Sequence, residues 1–151
     1  MELSTKEKEL LKDLRDQEKL CITKYDKYAA SACSSELQTL FNSMAKVERE
    51  HHKTIVGMMD GKVESAPSAI SNSMTATAAA AHTRTRRAAR TMRLCARICL
   101  LPKSMSRRFY DTCVFEFTNP QARKMLNHIQ AEEQQHGQQL YAFMSNNNMY
   151  S

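Results

Sequence analysis

Three stretches of the chain place apolar residues at alternating steps of three and four positions, the spacing of one face of an α-helix. The first stripe contains one polar interruption, and the other two contain two each. Stripes of this length predict long helices that each turn one face towards partner helices. The stripes are Leu11, Leu14, Glu18, Cys21, Tyr25, Tyr28; Leu37, Phe41, Met44, Glu48, His51, Ile55, Met58; and Ala122, Leu126, Ile129, Glu133, His136, Leu140, Phe143.

Helix-starting residues precede two of these stripes. Ser4 and Glu7 have the spacing of a capping box, and Asn119 followed by Pro120 is typical of a helix start. Three helices leave the bundle open, so a further helix is needed, although only its last turns, near Tyr110, have a clear apolar pattern. We therefore predict one all-α domain over residues 1–151, an antiparallel four-helix bundle with helices at about 4–32, 35–60, 88–117 and 120–145 and a linker at about 61–87.

The polar residues that interrupt the stripes are a metal-ligand pattern. Glutamate and histidine three residues apart lie on the same helix face, and two stripes carry such a pair at matching positions. Ferritin-like carboxylate proteins hold two metal ions with one glutamate from each of two helices and a Glu-x-x-His pair from each of the other two. This chain offers five of those six ligands, which suit iron or manganese: Glu18, Glu48, His51, Glu133 and His136.

A metal-free interpretation of the same residues stays open. Polar groups inside a bundle can pair with one another and fix the register of the helices. Three buried carboxylates without a cation would have to protonate, pair or stay partly hydrated. The sequence alone does not choose between this polar layer and a metal site.

The net charge of +6 arises from one segment. Between Ser65 and Tyr110 the chain has nine basic residues and no Asp or Glu, and without those nine the balance is 13 basic against 16 acidic, or −3. The chain has no apolar run of about 18 residues, so we expect no membrane span, and its charged N-terminus predicts no secretion leader. Five cysteines without a Cys-x-x-Cys pair predict neither a disulfide framework nor a thiolate zinc site.

Three phrases of the sequence resemble the coat F spore-protein family of endospore-forming bacteria. They are EKELLKDLRDQEKLC at 7–21, FEFTNPQARKML at 115–126 and AEEQQHG at 131–137, and the likeness covers about 3–62 and 110–150. The resemblance implies a sporulation protein with a ferritin-like fold that is made in the mother-cell cytoplasm and deposited in the spore coat. It implies self-association or other coat proteins as partners and no defined enzyme activity.

Residues 72–109 depart from the amphipathic third helix that the family would have there. We hypothesise that this segment is translated in a shifted reading frame, in which the codons of Pro102 and Lys103 would contain the missing sixth ligand, a glutamate. The coding DNA across codons 60–112 tests this hypothesis. The rival interpretation is an arginine-rich arm, but because its one aromatic residue lies at its end, at Phe109, we do not expect nucleic acid as a partner.

Two functions follow from these observations. The first is a structural protein of the spore coat, possessing a ferritin-like core that can bind metal. The second is a di-iron or di-manganese oxidoreductase acting on oxygen or peroxide, which would need a full ligand set with open metal positions. Stoichiometric metal together with peroxide turnover would favour the enzyme.

Overall fold

The computed structural model describes residues 2–32, 34–67 and 108–149, and within them it contains four helices and no strand. The predicted all-α class is confirmed. Residues 72–107 of the segment with the proposed frame shift, including Pro102, lie outside the described residues, as do most of the predicted linker and most of the predicted third helix. The helices are α1 (Thr5–Ser31), α2 (Ser35–Met59), α3 (108–116 in the described part) and α4 (Pro120–Asn146).

Helix α1 begins with the predicted capping box. The Ser4 hydroxyl oxygen accepts a hydrogen bond from the Glu7 backbone N–H at 3.2 Å, and Glu7 Oε2 accepts one from the Ser4 backbone N–H at 2.8 Å. The other oxygen of Glu7 accepts from the backbone N–H of Thr118 at 3.1 Å. One carboxylate therefore caps α1 and also fixes the connection between α3 and α4.

The other helices have equally local start and stop signals. The Ser34 side chain accepts from the N–H of Leu37 and starts α2, and Gly61 follows its end with a φ of 78°, a conformation that glycine adopts without strain. Asn119 Oδ1 accepts from two backbone N–H groups at the start of α4, where Pro120 is the first helical residue. None of the helices within the described ranges is apolar over a length that would cross a membrane.

The predicted stripes form the core. Every stripe residue of α2 and α4 is buried, and α3 adds Tyr110 and Cys113, with Phe117 directly after its end. In α1 the stripe is buried as far as Tyr25, but Tyr28 is half-buried and Ala29 is buried in its place. The reason is the drift of a straight helix, with 3.6 residues per turn, away from a strict 3.5-residue repeat.

The core consists of two apolar clusters with a polar layer between them. The loop-end cluster lies near the α1–α2 connection and contains Tyr25, Phe41 and Leu140, while the opposite-end cluster contains Leu14, Ile55 and Ile129. Along α1, α2 and α4 the chain passes from one cluster to the other through glutamate or a Glu-x-x-His pair. The polar residues therefore share one level of the bundle. Helices α1 and α4 run from the opposite-end cluster to the loop-end cluster, whereas α2 runs from the loop-end cluster to the opposite-end cluster, so α2 is antiparallel to both.

Candidate metal centre

The five residues predicted from the sequence as ligands converge in the polar layer. All are buried: Glu18 is 1% exposed, Glu48 0%, His51 and Glu133 3% and His136 4%. Three helices contribute them, α1 with one residue and α2 and α4 with a pair each. Burial of this many ionisable groups is costly unless they are paired, protonated or bound to a cation.

Four of the five residues form a compact group around the His51 ring. His51 Nδ1 lies 3.6 Å from one carboxylate oxygen each of Glu18, Glu48 and Glu133. The four ligand atoms all lie within 4.8 Å of one another. Donor atoms bound to one ion at about 2.0–2.2 Å are about 3–4 Å apart, so these four side chains could hold a metal ion.

Two atoms of this group lack a hydrogen bond although they are shielded from water. His51 Nδ1 and Glu18 Oε2 are buried and have no hydrogen-bond partner among the described residues. Buried polar atoms are nearly always hydrogen-bonded, so an exception indicates a ligand, a water molecule or an ion at that position. Their position between the carboxylates fits a cation.

His136, the fifth predicted ligand, lies to one side of this group. Its Nδ1 lies 3.1 Å from Glu48 Oε1 and 3.8 Å from Glu133 Oε1. Its ring is edge-on to Tyr25, with ring centroids 6.3 Å apart, and its centroid is 6.2 Å from that of His51. Because a carboxylate accepts, Nδ1 of His136 donates to Glu48 in this arrangement.

A second carboxylate on α4, which the stripe analysis missed, orients the His51 ring. Glu132 Oε2 lies 2.9 Å from His51 Nε2 and 3.5 Å from His128 Nε2. The available signal was the position of Glu132 four residues after His128 and next to Glu133. His128, which the sequence placed beside the stripe, touches the layer through Glu132 and not directly.

Helix α3 contributes a phenol hydroxyl to the polar layer. Tyr110 is fully buried, and its hydroxyl donates to Glu18 Oε1 at 2.6 Å. The sequence indicated Tyr110 as an apolar residue at the end of the third helix, but periodicity cannot reveal which partner a buried hydroxyl will find. Glu18 is thus held from α3 through one oxygen, while its other oxygen faces His51.

The electrostatics of the layer follow from its burial. Desolvation raises the pKa of Glu18 from 4.5 to about 8, against the lowering effect of His51. Burial alone would lower the pKa of His51, but the hydrogen bond with Glu132 and the nearby carboxylates raise it well above 6.5. Burial and the neighbouring Glu18 raise the pKa of Tyr110, so its hydroxyl keeps its proton and acts as a donor.

The comparisons with known proteins find one family. The model of the Coat F domain matches residues 93–151. No curated protein matches the chain, and no solved structure matches it.

The match confirms the predicted resemblance to the coat F family. It covers the phrases at 115–126 and 131–137 and includes α3 and α4. It begins within the segment expected to depart from the family and does not include residues 3–62, where the likeness stays a prediction. Within the matched range lie Glu133, His136 and Tyr110 of the polar layer, whereas Glu18, Glu48 and His51 precede it.

Proposed function

We propose that the protein is a structural component of the spore coat, because the model of the Coat F domain matches residues 93–151. That match is the observation that carries the proposal. The protein is made in the mother-cell cytoplasm during sporulation and is deposited in the coat, where it associates with itself or with other coat proteins.

Surface side chains of the bundle support an assembly role. Phe115 of α3 is 87% exposed, and Leu20 and Tyr141 are each about half exposed. A phenylalanine this exposed is not packed into the core that the described residues form, and contact with another coat subunit would remove it from water. The family match includes two of these residues, Phe115 and Tyr141.

The finer part of the proposal is a ferritin-like bundle whose polar layer binds iron or manganese. Three carboxylates and an imidazole at the centre of a four-helix bundle are donors that these metals accept. The bound cation would offset the cost of burying the carboxylates and would tie α1, α2 and α4 together. The match does not favour the alternative function, a di-metal oxidoreductase, because a coat F assignment carries no defined enzyme activity.

Localisation of the full chain in a sporulating host tests the coat assignment. A fusion to a fluorescent protein, expressed from the native promoter, should first fill the mother cell and then form a ring around the spore. The control is the fluorescent protein alone under the same promoter, which should stay diffuse. Fluorescence that remains diffuse for the fusion as well, or that appears in growing cells without sporulation, would contradict the assignment.

Metal analysis of the same protein tests the core. The chain purified from sporulating cells without chelator should contain iron or manganese in a fixed ratio to protein. Its peroxide turnover should stay at the level of the free metal ion, since a structural site lacks the substrate positions of an enzyme. Protein without metal would support the metal-free polar layer instead.

A further inference from the structure

We propose that the polar layer of this chain holds a single divalent transition-metal ion, bound by Glu18, Glu48, Glu133 and His51 Nδ1, with Glu132 and His136 as positioning residues. This inference rests on the proposed metal-binding core and makes it more specific. A two-ion centre, the arrangement that the stripe pattern suggests, does not fit the side chains that the described residues bring to the layer.

The first argument is the number of carboxylates. Two-ion carboxylate centres in four-helix bundles use four carboxylates and two imidazoles. The layer has three carboxylates facing His51 Nδ1, and the sequence has no Asp or Glu from Ser65 to Tyr110, the stretch that leads into α3. Both acids of α3 are engaged elsewhere, because Asp111 accepts a hydrogen bond from Gln130 and Glu116 pairs with Lys6 at the surface. The remaining carboxylate near the layer, Glu132, contacts Nε2 of His51 and not Nδ1.

The second argument is that two of the three carboxylates have one oxygen in a hydrogen bond with another side chain. Glu18 Oε1 accepts from the Tyr110 hydroxyl at 2.6 Å, and Glu48 Oε1 lies 3.1 Å from His136 Nδ1. A carboxylate that bridges two ions through both oxygens directs one oxygen to each ion, whereas one oxygen of Glu18 and one of Glu48 is directed to a hydrogen-bond donor. Glu18 and Glu48 therefore each direct one oxygen towards His51 Nδ1, which is the geometry of monodentate ligands around one ion.

The third argument is the orientation of the His51 ring. Nε2 lies 2.9 Å from Glu132, so the proton of a neutral ring stays on Nε2 and the lone pair of Nδ1 faces the three carboxylates. Nδ1 is buried and has no hydrogen-bond partner among the described residues. The ring is therefore oriented as a metal ligand by a residue outside the ligand set. His136 has the reverse role, because its contact with Glu48 orients a ligand.

Manganese loading of the full chain tests the number of ions. The purified protein is stripped with chelator, saturated with Mn²⁺ and desalted, and the ratio of Mn²⁺ to protein is measured together with the electron paramagnetic resonance spectrum. We expect one Mn²⁺ per chain and the six-line signal of an isolated ion. Two Mn²⁺ per chain with an exchange-coupled signal would overturn this inference and leave the metal-binding core intact. No retained Mn²⁺ would overturn both.

Single substitutions test the assignment of roles. Glu18→Gln and His51→Gln should each weaken Mn²⁺ binding by at least about tenfold, as loss of a ligand requires. The matched control is Glu50→Gln, because Glu50 is an exposed α2 residue that lies 3.9 Å from Lys53 at the surface. The Mn²⁺ affinity of this variant should equal that of the unmodified chain. Circular dichroism of each metal-free variant shows whether the bundle has formed.

The test for Glu132 and His136 must distinguish a residue that positions a metal ligand from one that only stabilises the fold. Glu132→Gln should weaken Mn²⁺ binding about tenfold with one ion still bound, while circular dichroism shows that the metal-free chain keeps its helix content. His136→Gln should also keep one Mn²⁺ per chain. Unchanged affinity in Glu132→Gln would overturn the positioning role of Glu132. Loss of Mn²⁺ from His136→Gln as complete as that from His51→Gln would make His136 a ligand and overturn the four-ligand assignment.

Discussion

At the scale of the residue, the buried hydrogen bond between Tyr110 and Glu18 joins α3 to the polar layer. The bond is 2.6 Å long and buried, and it connects α3 directly to Glu18, a candidate metal ligand. Since Glu18 Oε2 faces His51, loss of the phenol hydroxyl would leave the second oxygen of the same carboxylate without a donor. Leaving a buried acceptor without a donor costs more free energy than the hydrogen bond contributes to stability when it is formed.

Replacing this phenol by a phenyl ring should therefore destabilise the protein. We expect Tyr110→Phe to lower the free energy of unfolding by about 1–3 kcal/mol, because a buried acceptor loses its donor at almost constant volume. Urea denaturation measures the change. Tyr141→Phe is the matched control, since Tyr141 is 51% exposed and water can replace any lost contact, so the change should be well under 1 kcal/mol. Equal effects of the two substitutions would contradict the argument.

The stability of the metal-free chain should fall as the pH rises from about 5 to about 8. The pKa of Glu18 is raised to about 8 in the folded protein against 4.5 in the unfolded chain, so the folded state binds more protons in this window. The raised pKa of His51 acts in the same direction, because the stabilisation by its charged form is lost at high pH. The titratable groups that interact with Glu18 are Glu48 and His51 from α2, Glu133 from α4 and Tyr110 from α3.

The expected decrease in the free energy of unfolding is about 2–4 kcal/mol over this window. Denaturant titrations at several pH values, with chelator present, measure it. Glu18→Gln should flatten the profile because the amide does not titrate. A stability that is constant or rises between pH 5 and pH 8 would show that Glu18 is ionised and well paired in the folded chain.

The residue scale is also where prediction from the sequence has its limit. The stripes identified Glu18, Glu48, His51, Glu133 and His136, because helical periodicity determines which residues face inward. Periodicity could not distinguish His51, which faces three carboxylates, from His136, which lies beside them. Nor could it find Glu132, because that side chain reaches the layer from the edge of the stripe, where small rotations of α4 decide contact.

At the scale of the element, helix boundaries were encoded by single polar residues. The capping box at Ser4 and Glu7 and the cap at Asn119 occur as their spacing predicted. What the spacing could not predict was the second role of Glu7, whose other oxygen accepts from Thr118. A local signal determines where α1 begins, whereas a long-range contact depends on how the helices pack.

Removal of the α1 cap should have a measurable cost. Ser4→Ala should lower the free energy of unfolding by about 1 kcal/mol, because the backbone N–H of Glu7 loses its acceptor and Glu7 loses a donor. Thr39→Ala on α2 is the control, since the Thr39 hydroxyl bonds within the helix to the carbonyl of Ser35 at an exposed position. Thermal unfolding of the two variants measures the difference. An equal decrease in the free energy of unfolding would show that the α1 cap contributes no extra stability.

At the scale of the whole molecule, the bundle consists of two apolar clusters that enclose one polar level. Enclosure is what makes the pKa shifts and the unpaired atoms possible, since the same residues at a surface would be hydrated. The sequence predicted this order because each stripe places its polar residues near its centre. Alanine substitutions of one buried and one exposed phenylalanine test which parts of the molecule contribute to the core.

Phe41→Ala and Phe115→Ala remove the same atoms from opposite environments. Phe41 is fully buried beside Tyr25 and Tyr28, so its truncation should cost about 3–5 kcal/mol in the free energy of unfolding. Phe115 is 87% exposed, so its truncation should cost about 0.5 kcal/mol or less. Urea denaturation of both variants measures the two changes in the free energy of unfolding. A large loss for Phe115→Ala would mean that α3 buries that side chain in solution.

The most direct test of the account is anomalous diffraction from a crystal of the full chain grown with Mn²⁺. We predict one manganese peak in the centre of the bundle, bonded to Glu18, Glu48, Glu133 and the Nδ1 atom of His51. Side chains of these residues directed into solvent, or a manganese peak at the surface with none in the polar layer, would contradict the account.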